Sequence, residues 1–272
     1  MSEKVKARDL VKDAIGLAAK GGADIFVRIN HDTIEEDLEA VVWPGLKRIV
    51  YPKAETGQEI RDIDEILTRL ELTRGIASGS IEIGANVETA LGVINAFEIV
   101  AASPRIKDFG GGGGYDMSRD FGVEMFVDFD QFVYGKGELE LAARVEHLDV
   151  IATPFLPNPS GSVSDPDHAL RLAQATYNMG FHIGGGLHPN VVEPSNKGFT
   201  PTSKEITTAI QDLEFFDHIS DEGLPEGRRD GRLIDRYEAK RAQSMLTWAN
   251  ACDEKNTAKL EALEQATEAA DD

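Results

Sequence analysis

The chain has 272 residues, with 48 acidic against 28 basic side chains and a formal net charge of −20. Such a charge argues against a nucleic-acid or anionic-membrane partner, although a local Arg or Lys could hold a small anion. The length admits one large domain or two modest ones, and 41% hydrophobic residues suffice for a core. With Cys252 as its only cysteine, the sequence has no disulfide framework, which fits a reducing cytoplasm.

The charged, amphipathic first residues are unlike a signal peptide, and no apolar run approaches the length of a membrane span. We therefore expect a cytoplasmic protein without membrane association.

Short apolar runs alternate with stretches of helical periodicity over the first 190 residues. This alternation predicts βαβ units and a parallel sheet, hence an α/β fold. The predicted strands are 24–29, 47–51, 80–87, 106–110, 149–153 and 181–187. The predicted helices are 7–20, 33–42, 56–71, 89–102, 137–147 and 165–179.

The pattern changes after residue 190. A loop is followed by a helix that Thr202 or Ser203 is expected to cap, with Glu205 in its first turn. A polar, glycine-rich link, "SDEGLPEGRRDGR", then leads to a further helix that is predicted to start near Ile234.

Four polar residues stand at or just after the ends of predicted strands: Arg28, Lys53, Glu88 and Asp116. The carboxyl ends of parallel strands meet at one edge of a sheet, where active sites of α/β folds form. Glu88 and Asp116 would suit a hard divalent cation such as Mg²⁺, and two solvated loop acids are the alternative. Arg28 could hold a carboxylate with its guanidinium or form a salt bridge at the rim; for Lys53 we favour the structural role.

Five consecutive glycines, 110–114, precede the acids Asp116 and Asp120. Because an ordered glycine costs entropy, such a run indicates either a flexible linker or a site of close approach. It does not match a phosphate loop or the glycine spacing of a dinucleotide site. His188, in "GGGLHPN", has no Ser or Cys nucleophile evident as its pair, so we favour a structural role for it.

From about residue 7 to 246 the chain resembles the citrate lyase β-subunit-like family of the HpcH/HpaI aldolase/citrate lyase superfamily, which includes malyl-CoA and citramalyl-CoA lyases. The resemblance rests on segments in family order: "VRIN", "IVYPKAET", "VETALGVINAFEIVAASPRI", "GYDMSRDFG", "GGGLHPN", "GFTPTSKEI" and "DGRLIDRYEAKRAQSML". The third and the last of these segments are specific to the family, whereas "VRIN" or the glycines alone are not.

The resemblance implies a TIM-type (β/α) barrel over residues 1–219 and a C-terminal helical lid over 220–272. It implies a Mg²⁺-dependent lyase that cleaves or forms a carbon–carbon bond in a 3-hydroxyacyl-CoA thioester, such as malyl-CoA or citramalyl-CoA. The products of cleavage would be a 2-oxo acid and an acyl-CoA. A homo-oligomer, trimeric or hexameric, with sites shared between subunits is implied as well.

The resemblance also implies roles for individual residues. Glu88 and Asp116 would hold Mg²⁺, with Mn²⁺ as an alternative, and Arg28 would hold the substrate carboxylate or oxyanion. Gly114 and Glu88 would border the bound substrate. Asp235 would be the proton donor or acceptor in a neighbouring subunit's site; the alternative is an acid that caps its own helix.

One departure from the family pattern concerns the start of the barrel. Family members begin with two further strands, so only six of eight barrel strands are recognisable here. A truncated chain, a second polypeptide that supplies the strands, or an open sheet covered by oligomerisation would each explain this. The competing functions are therefore a non-catalytic or split subunit, and a class II-type aldolase that acts on free 2-oxo acids.

Overall fold

The computed structural model describes residues 2–111, 114–124, 131–151 and 162–271. The chain forms two compact units, Met1–Ser195 and Asn196–Asp272. The predicted boundary between residues 219 and 220 separates a barrel domain from a functional lid. The division into compact units does not test this boundary, which stays a prediction.

The first unit is built around a five-stranded parallel sheet, which confirms the predicted α/β class. The strand order β1-β2-β3-β4-β5 follows the order along the chain. The strands are β1 Ile25–Arg28, β2 Leu46–Tyr51, β3 Glu82–Val87, β4 Ile106–Gly111 and β5 Asp149–Ile151. Five predicted strands are thus confirmed, although residues 152–153 of the fifth lie outside the described residues.

The helices of this unit lie between the strands, as predicted, or flank the sheet in sequence. They are α1 Ser2–Ala18, α2 Ile34–Val41, α3 Gly57–Arg74, α4 Ala90–Ile94, α5 Ala96–Val100, α6 Tyr115–Asp120, α7 Val133–Val145 and α8 Pro166–Asn178. The single helix predicted over 89–102 is divided at Asn95, whose side-chain amide donates a hydrogen bond to the carbonyl of Glu55 at 2.8 Å.

The sixth predicted strand, 181–187, is wrong. Within this segment a single residue, Ile183, forms a β-bridge, and its neighbours on both sides are not in a strand. Three glycines, 184–186, follow Ile183 and offer no side chains to pack against a sheet. The described residues therefore form an open sheet, and a closed TIM-type barrel stays a prediction.

One face of the sheet carries the hydrophobic core. Buried apolar side chains recur at every second position of β2 from Ile49 and of β3 from Ile83, as the two-residue period of a strand requires. The core joins these side chains to those of α3 and α5, and includes Ile49, Tyr51, Ile60, Ile63, Leu67, Ile83, Val87, Ile99 and Phe109.

The alternating positions of the same strands carry a charged cluster. Arg48 of β2 donates to Glu82 of β3 at 2.9 Å and pairs with Asp108 of β4. Burial raises the pKa of Asp108, although the charge of Arg48 and its hydrogen bond oppose the shift. The cluster thus joins three adjacent strands by their side chains in addition to the backbone ladder.

A second, more deeply buried cluster centres on Arg105, which precedes β4. Its guanidinium contacts both oxygens of Glu71 at 2.8 Å and one oxygen of Asp64 at 2.5 Å. It also donates to the carbonyl of Ile81 at 2.9 Å. Arg105 therefore fixes helix α3, which carries both acids, against the amino ends of β3 and β4.

In the second unit, α9 Val192–Phe199 reaches across the boundary, and α10 Ser203–Asp221 follows. The side chain of Thr202 accepts a hydrogen bond from the backbone of Glu205, and the Glu205 side chain accepts one from the backbone of Thr202. This capping box confirms the predicted start of the helix.

The predicted glycine-rich link is a β-hairpin instead, formed by β6 Glu226–Arg229 and β7 Arg232–Asp235. Its turn is Asp230–Gly231, where both residues have positive φ, 52° and 79°. An Asp-Gly pair is the usual sequence of a two-residue hairpin turn, so the signal was present in the sequence. Helix α11 starts after the hairpin and spans Arg236–Asp271.

None of the helices in the described part of the chain has both the length and the apolar character that crossing a bilayer requires.

We predict that Arg105→Met lowers the free energy of unfolding by about 3–5 kcal/mol, since it leaves the fully buried Glu71 without its counter-ion. Urea denaturation at pH 7 measures the change. Arg69→Met is the matched control: Arg69 lies on α3 and pairs with Glu35 and Glu39 at the surface. Its loss should cost at most about 1 kcal/mol.

The difference in the free energy of unfolding between the parent and Arg105→Met should depend on pH. Burial would raise the pKa of Glu71, but hydrogen bonds from Arg105 and from the Ile81 and Gly79 amides outweigh it and hold the pKa below its ordinary value. The stabilisation is thus present above the unfolded-state pKa and is lost as the pH falls through the lower, folded-state value. The difference between parent and Arg105→Met should shrink below about pH 4; an unchanged difference would contradict this account.

Candidate active site

The polar residues predicted at the strand ends form two ion pairs. Arg28 Nη2, at the end of β1, lies 3.3 Å from Glu88 Oε1, which directly follows β3. Lys53 Nζ, after β2, lies 3.6 Å from Asp116 Oδ1 on α6. The structure therefore joins residues that are about sixty positions apart in the sequence, at the edge where the parallel strands end.

Glu88 has an unsatisfied oxygen. Its side chain is only 11% exposed, and Oε1 accepts the hydrogen bond from Arg28. Oε2 is buried and has no hydrogen-bond partner among the described residues. A buried carboxylate oxygen without a partner is costly, so Oε2 fits a site that is completed by a cation or a ligand.

Asp116 lies in the first turn of α6 and is half-buried. Its Oδ1 is 3.6 Å from both Lys53 and Arg119, which is too long for a hydrogen bond. These loose ion pairs leave a carboxylate that a cation could bind in place of Lys53. The donors offered by Glu88 and Asp116 are thus carboxylate oxygens, which are the ligands that Mg²⁺ prefers.

Among the described residues, no group of three or more His, Cys, Asp or Glu side chains is arranged to hold a metal. A cation held by Glu88 and Asp116 would therefore take its remaining ligands from water and substrate. Mg²⁺ commonly binds in this way, with one or two protein carboxylates.

Lys53 adopts a backbone conformation that is unusual for a side chain of its size, with φ 54°. The next residue, Ala54, donates its backbone N–H to the carbonyl of Asn86 at 2.9 Å, which ties the loop after β2 to β3. Strained backbone is often found at functional sites. The ion pair with Asp116 places Lys53 beside the candidate site, and its structural role stays a prediction.

Two of the five glycines have a clear physical role. At Gly111, with φ 110°, a Cβ atom would overlap the backbone carbonyl of Val87. Gly114 has φ 89° and ψ −166°, a region that is essentially restricted to glycine, and it directly precedes α6. Close approach is thus confirmed at Gly111, as contact between strands, while 112–113 lie outside the described residues.

Asp235 and His188 both act as caps. Asp235 Oδ1 accepts hydrogen bonds from the backbone of Tyr237 at 2.9 Å and of Glu238 at 3.0 Å, at the start of α11. His188 Nδ1 accepts from the backbone of Asn190 at 3.2 Å, in a short 3₁₀ helix. The catalytic role of Asp235 stays a prediction, and it would add to this capping.

His31, in the short 3₁₀ helix after β1, is a residue that the sequence did not single out. Its ring stacks on Tyr51 at a centroid distance of 5.7 Å, and its Nε2 lies 3.7 Å from Glu59. Burial, together with the charges of Glu59 and Glu55, raises the pKa of the Tyr51 hydroxyl. The only local signal was the position of His31, three residues after Arg28.

With this geometry in place, comparison with known proteins assigns the chain to a family. The HpcH/HpaI aldolase/citrate lyase family matches residues 1–189, which include Arg28, Lys53, Glu88 and Asp116. The chain belongs to this family, and it is accordingly a lyase of the citrate lyase β-like type.

Curated relatives cover nearly the whole chain. The citrate lyase subunit beta of Leuconostoc mesenteroides subsp. cremoris is 29% identical over 254 residues, which is 92% of this chain and 82% of the relative. A (3S)-malyl-CoA thioesterase of Cereibacter sphaeroides is 25% identical over 252 residues, with the same two shares.

Solved structures share the fold. A citrate lyase from Burkholderia xenovorans superimposes with a TM-score of 0.67 at 20% identity, over 85% of this chain and 73% of that one. The protein CitE from Mycobacterium tuberculosis, solved with magnesium, acetoacetate and coenzyme A, gives 0.61 at 19% identity, over 83% and 78%.

We predict that Glu88→Ala and Asp116→Ala each abolish measurable Mg²⁺ binding in calorimetric titration, because each would remove one of the two predicted protein ligands. Both variants should keep the parent's urea midpoint, since neither side chain lies in the hydrophobic core. Asp32→Ala, an exposed acid after β1, is the control and should bind Mg²⁺ as the parent does. Parent-like binding by either site variant would remove that residue from the ligand set.

Proposed function

We propose that this chain is a Mg²⁺-dependent lyase that cleaves or forms the carbon–carbon bond of a 3-hydroxyacyl-CoA thioester such as malyl-CoA or citramalyl-CoA. The observation that carries the proposal is the pair formed by Arg28 and Glu88, whose buried Oε2 lacks a partner among the described residues. This pair stands at the carboxyl edge of the sheet in a chain of the aldolase/citrate lyase family.

A TIM-type (β/α) barrel is the architecture that we propose for the site. The consecutive order of the five parallel strands supports this, because barrel strands follow one another in chain order, whereas doubly wound sheets reverse their strand order at a switch point. In this arrangement residues 1–219 form the barrel domain, and the segment 220–272 is the lid.

The substrate end is held by Arg28, Glu88, Asp116 and Gly114. The guanidinium of Arg28 binds the carboxylate of the 2-oxo acid portion with two parallel hydrogen bonds. Glu88 and Asp116 hold Mg²⁺, or Mn²⁺, which when bound polarises the 2-oxo acid oxygen as a Lewis acid. Gly114, without a side chain, leaves space for the substrate beside these groups.

Asp235 supplies the proton chemistry at the other end of the substrate, from a neighbouring copy of the chain in a trimer or hexamer. In cleavage, the bond between the 2- and 3-carbons of the acyl group breaks, and the 3-hydroxyl proton passes to a water molecule as the 2-oxo acid forms. The acyl-CoA carbon then takes up a proton from Asp235, and in synthesis Asp235 removes it. Both capping hydrogen bonds use Oδ1, so Oδ2 is the oxygen assigned to this role.

A second candidate activity is thioester hydrolysis. It is favoured by relatives that are named (3S)-malyl-CoA thioesterases and that cover 92% of the chain. Here water breaks the carbon–sulfur bond, and a free hydroxy acid and CoA are released. The relatives named citrate lyase subunit beta favour, in addition, a role as one subunit of a larger enzyme.

Product analysis distinguishes these functions. Purified protein is incubated with Mg²⁺ and with malyl-CoA or citramalyl-CoA, and products are separated by chromatography. The lyase releases a 2-oxo acid and acetyl-CoA, whereas the hydrolase releases malate or citramalate and free CoA. Folded protein that forms neither set of products would contradict a catalytic role for the chain alone and favour the subunit role.

We predict that Arg28→Lys weakens binding of a 2-oxo acid nearly as much as Arg28→Ala, because an ammonium cannot reproduce the two hydrogen bonds of a guanidinium. Affinities for pyruvate and oxaloacetate, measured with saturating Mg²⁺, test this. Arg69→Lys is the control, since Arg69 is a half-exposed arginine on α3 that pairs with Glu35 and Glu39, away from the proposed ligands. Unchanged affinity in Arg28→Lys would leave Arg28 with only its ion pair to Glu88.

We predict that Asp235→Asn abolishes turnover while Mg²⁺ and 2-oxo acid binding stay at the parent level. Asn keeps an oxygen that can cap α11, so stability should change little. Mixing Asp235→Asn with Asp116→Ala should restore part of the activity, since hybrid oligomers would combine one intact metal site with one intact lid. A mixture without activity, after confirmed subunit exchange, would rule out a shared site.

A further inference from the structure

We propose that Asp120 is a positioning residue that fixes the spacing of Glu88 and Asp116, an inference that rests on the proposed metal site. Asp120 is the last residue of α6, the helix that carries Asp116. Its Oδ2 accepts a hydrogen bond of 2.7 Å from the backbone N–H of Ala90. Ala90 is the first residue of α4 and lies two positions after Glu88.

The contact satisfies a backbone group that α4 cannot satisfy itself. The first N–H groups of a helix have no acceptor within it, and α4 has only five residues. Thr89 caps the helix locally by accepting from the N–H of Gly92 at 3.2 Å. The N–H of Ala90 instead depends on Asp120, thirty residues away. The start of α4 is therefore attached to α6 and not only to its own cap.

A second contact lies on the other side of Glu88. Val87 and Gly111 are register partners at the ends of β3 and β4, and no Cβ would fit at Gly111. The end of β3 is thus held to the end of β4 at residues 87 and 111, and the start of α4 is held to the end of α6 at residues 90 and 120. Both proposed ligands lie between these two contacts, Glu88 on one segment and Asp116 on the other.

Metal affinity depends on how well its ligands are held in place. Loss of a group that orients ligands typically costs 10- to 100-fold in metal affinity or activity. The Asp120–Ala90 hydrogen bond is exposed to solvent, so the effect should be at the lower end of this range. We expect Asp120→Ala to raise the Mg²⁺ dissociation constant about 10-fold.

Two further variants separate the geometry from the charge. Asp120→Asn keeps an acceptor of the same size and should bind Mg²⁺ within about 3-fold of the parent, since only part of the hydrogen-bond strength depends on charge. Asp120→Glu keeps the charge but displaces the acceptor by one methylene, and should weaken Mg²⁺ binding. A weakening by Asp120→Asn equal to that by Asp120→Ala, with Asp120→Glu like the parent, would overturn positioning in favour of a charge effect.

Thr89→Ala is the matched control for a merely structural role. It removes the local cap of the same helix but keeps the contact between α4 and α6. Its melting temperature should fall about as much as that of Asp120→Ala, while its Mg²⁺ affinity stays within about 3-fold of the parent. Equal losses of affinity in both variants would show that α4 stability, and not the contact with α6, governs binding.

Hydrogen exchange supplies a readout that needs no metal. In metal-free protein the Ala90 amide should exchange faster in Asp120→Ala than in the parent. The amide of Ile81, which donates to Glu71 of the Arg105 cluster, should stay protected in both.

The results that would overturn this inference differ from those that would overturn the metal site. Parent-like Mg²⁺ binding by Asp120→Ala, with binding abolished in Glu88→Ala and Asp116→Ala, overturns the role of Asp120 alone. Parent-like binding by all three variants overturns the metal site as well.

Discussion

The buried ion-pair cluster of Arg105 is the interaction on which the first unit depends. One guanidinium binds Glu71 with two hydrogen bonds and Asp64 with a third, so helix α3 is fixed to the amino ends of β3 and β4. Such a cluster is stable because each buried charge has its partner, and it tolerates no unpaired member. Since parallel strands then run in one direction from this fixed base, their carboxyl ends meet at the opposite edge.

At that edge the chain combines acids and bases from separate βα units. Arg28 neutralises one oxygen of Glu88, while the other oxygen stays buried without a partner among the described residues. Stability alone would favour a fully paired carboxylate, so the arrangement fits a residue that is reserved for a ligand. Gly111 allows the backbones of β3 and β4 to approach closely just before Glu88. The glycine run costs conformational entropy, but the close approach of β3 and β4 that it permits places the two proposed metal ligands on adjacent segments.

The second unit shows how one acid can have both a structural and a proposed catalytic role. Asp235 ends the hairpin and caps α11 through a single oxygen. On the other side of the hairpin, Arg229 and Arg232 bind the fully buried Asp212 of α10 at 2.7 and 3.0 Å. The hairpin is therefore anchored to α10 rather than free to move as a glycine linker, and Asp235 is held at a defined position.

The sequence by itself determined the local elements and the family: five strands by their apolar runs, helix α10 by its capping box, and the lyase family by its ordered motifs. It also placed Arg28, Glu88 and Asp116 at strand ends, because a strand and its following loop are local features. Only the tertiary structure decided which of these residues meet. The pairing of Arg28 with Glu88 and of Asp120 with Ala90 joins residues sixty and thirty positions apart, which no local pattern encodes. Beyond the single bridge at Ile183, the segment 181–187 is not a strand, although its apolar run resembles those of the five strands that form.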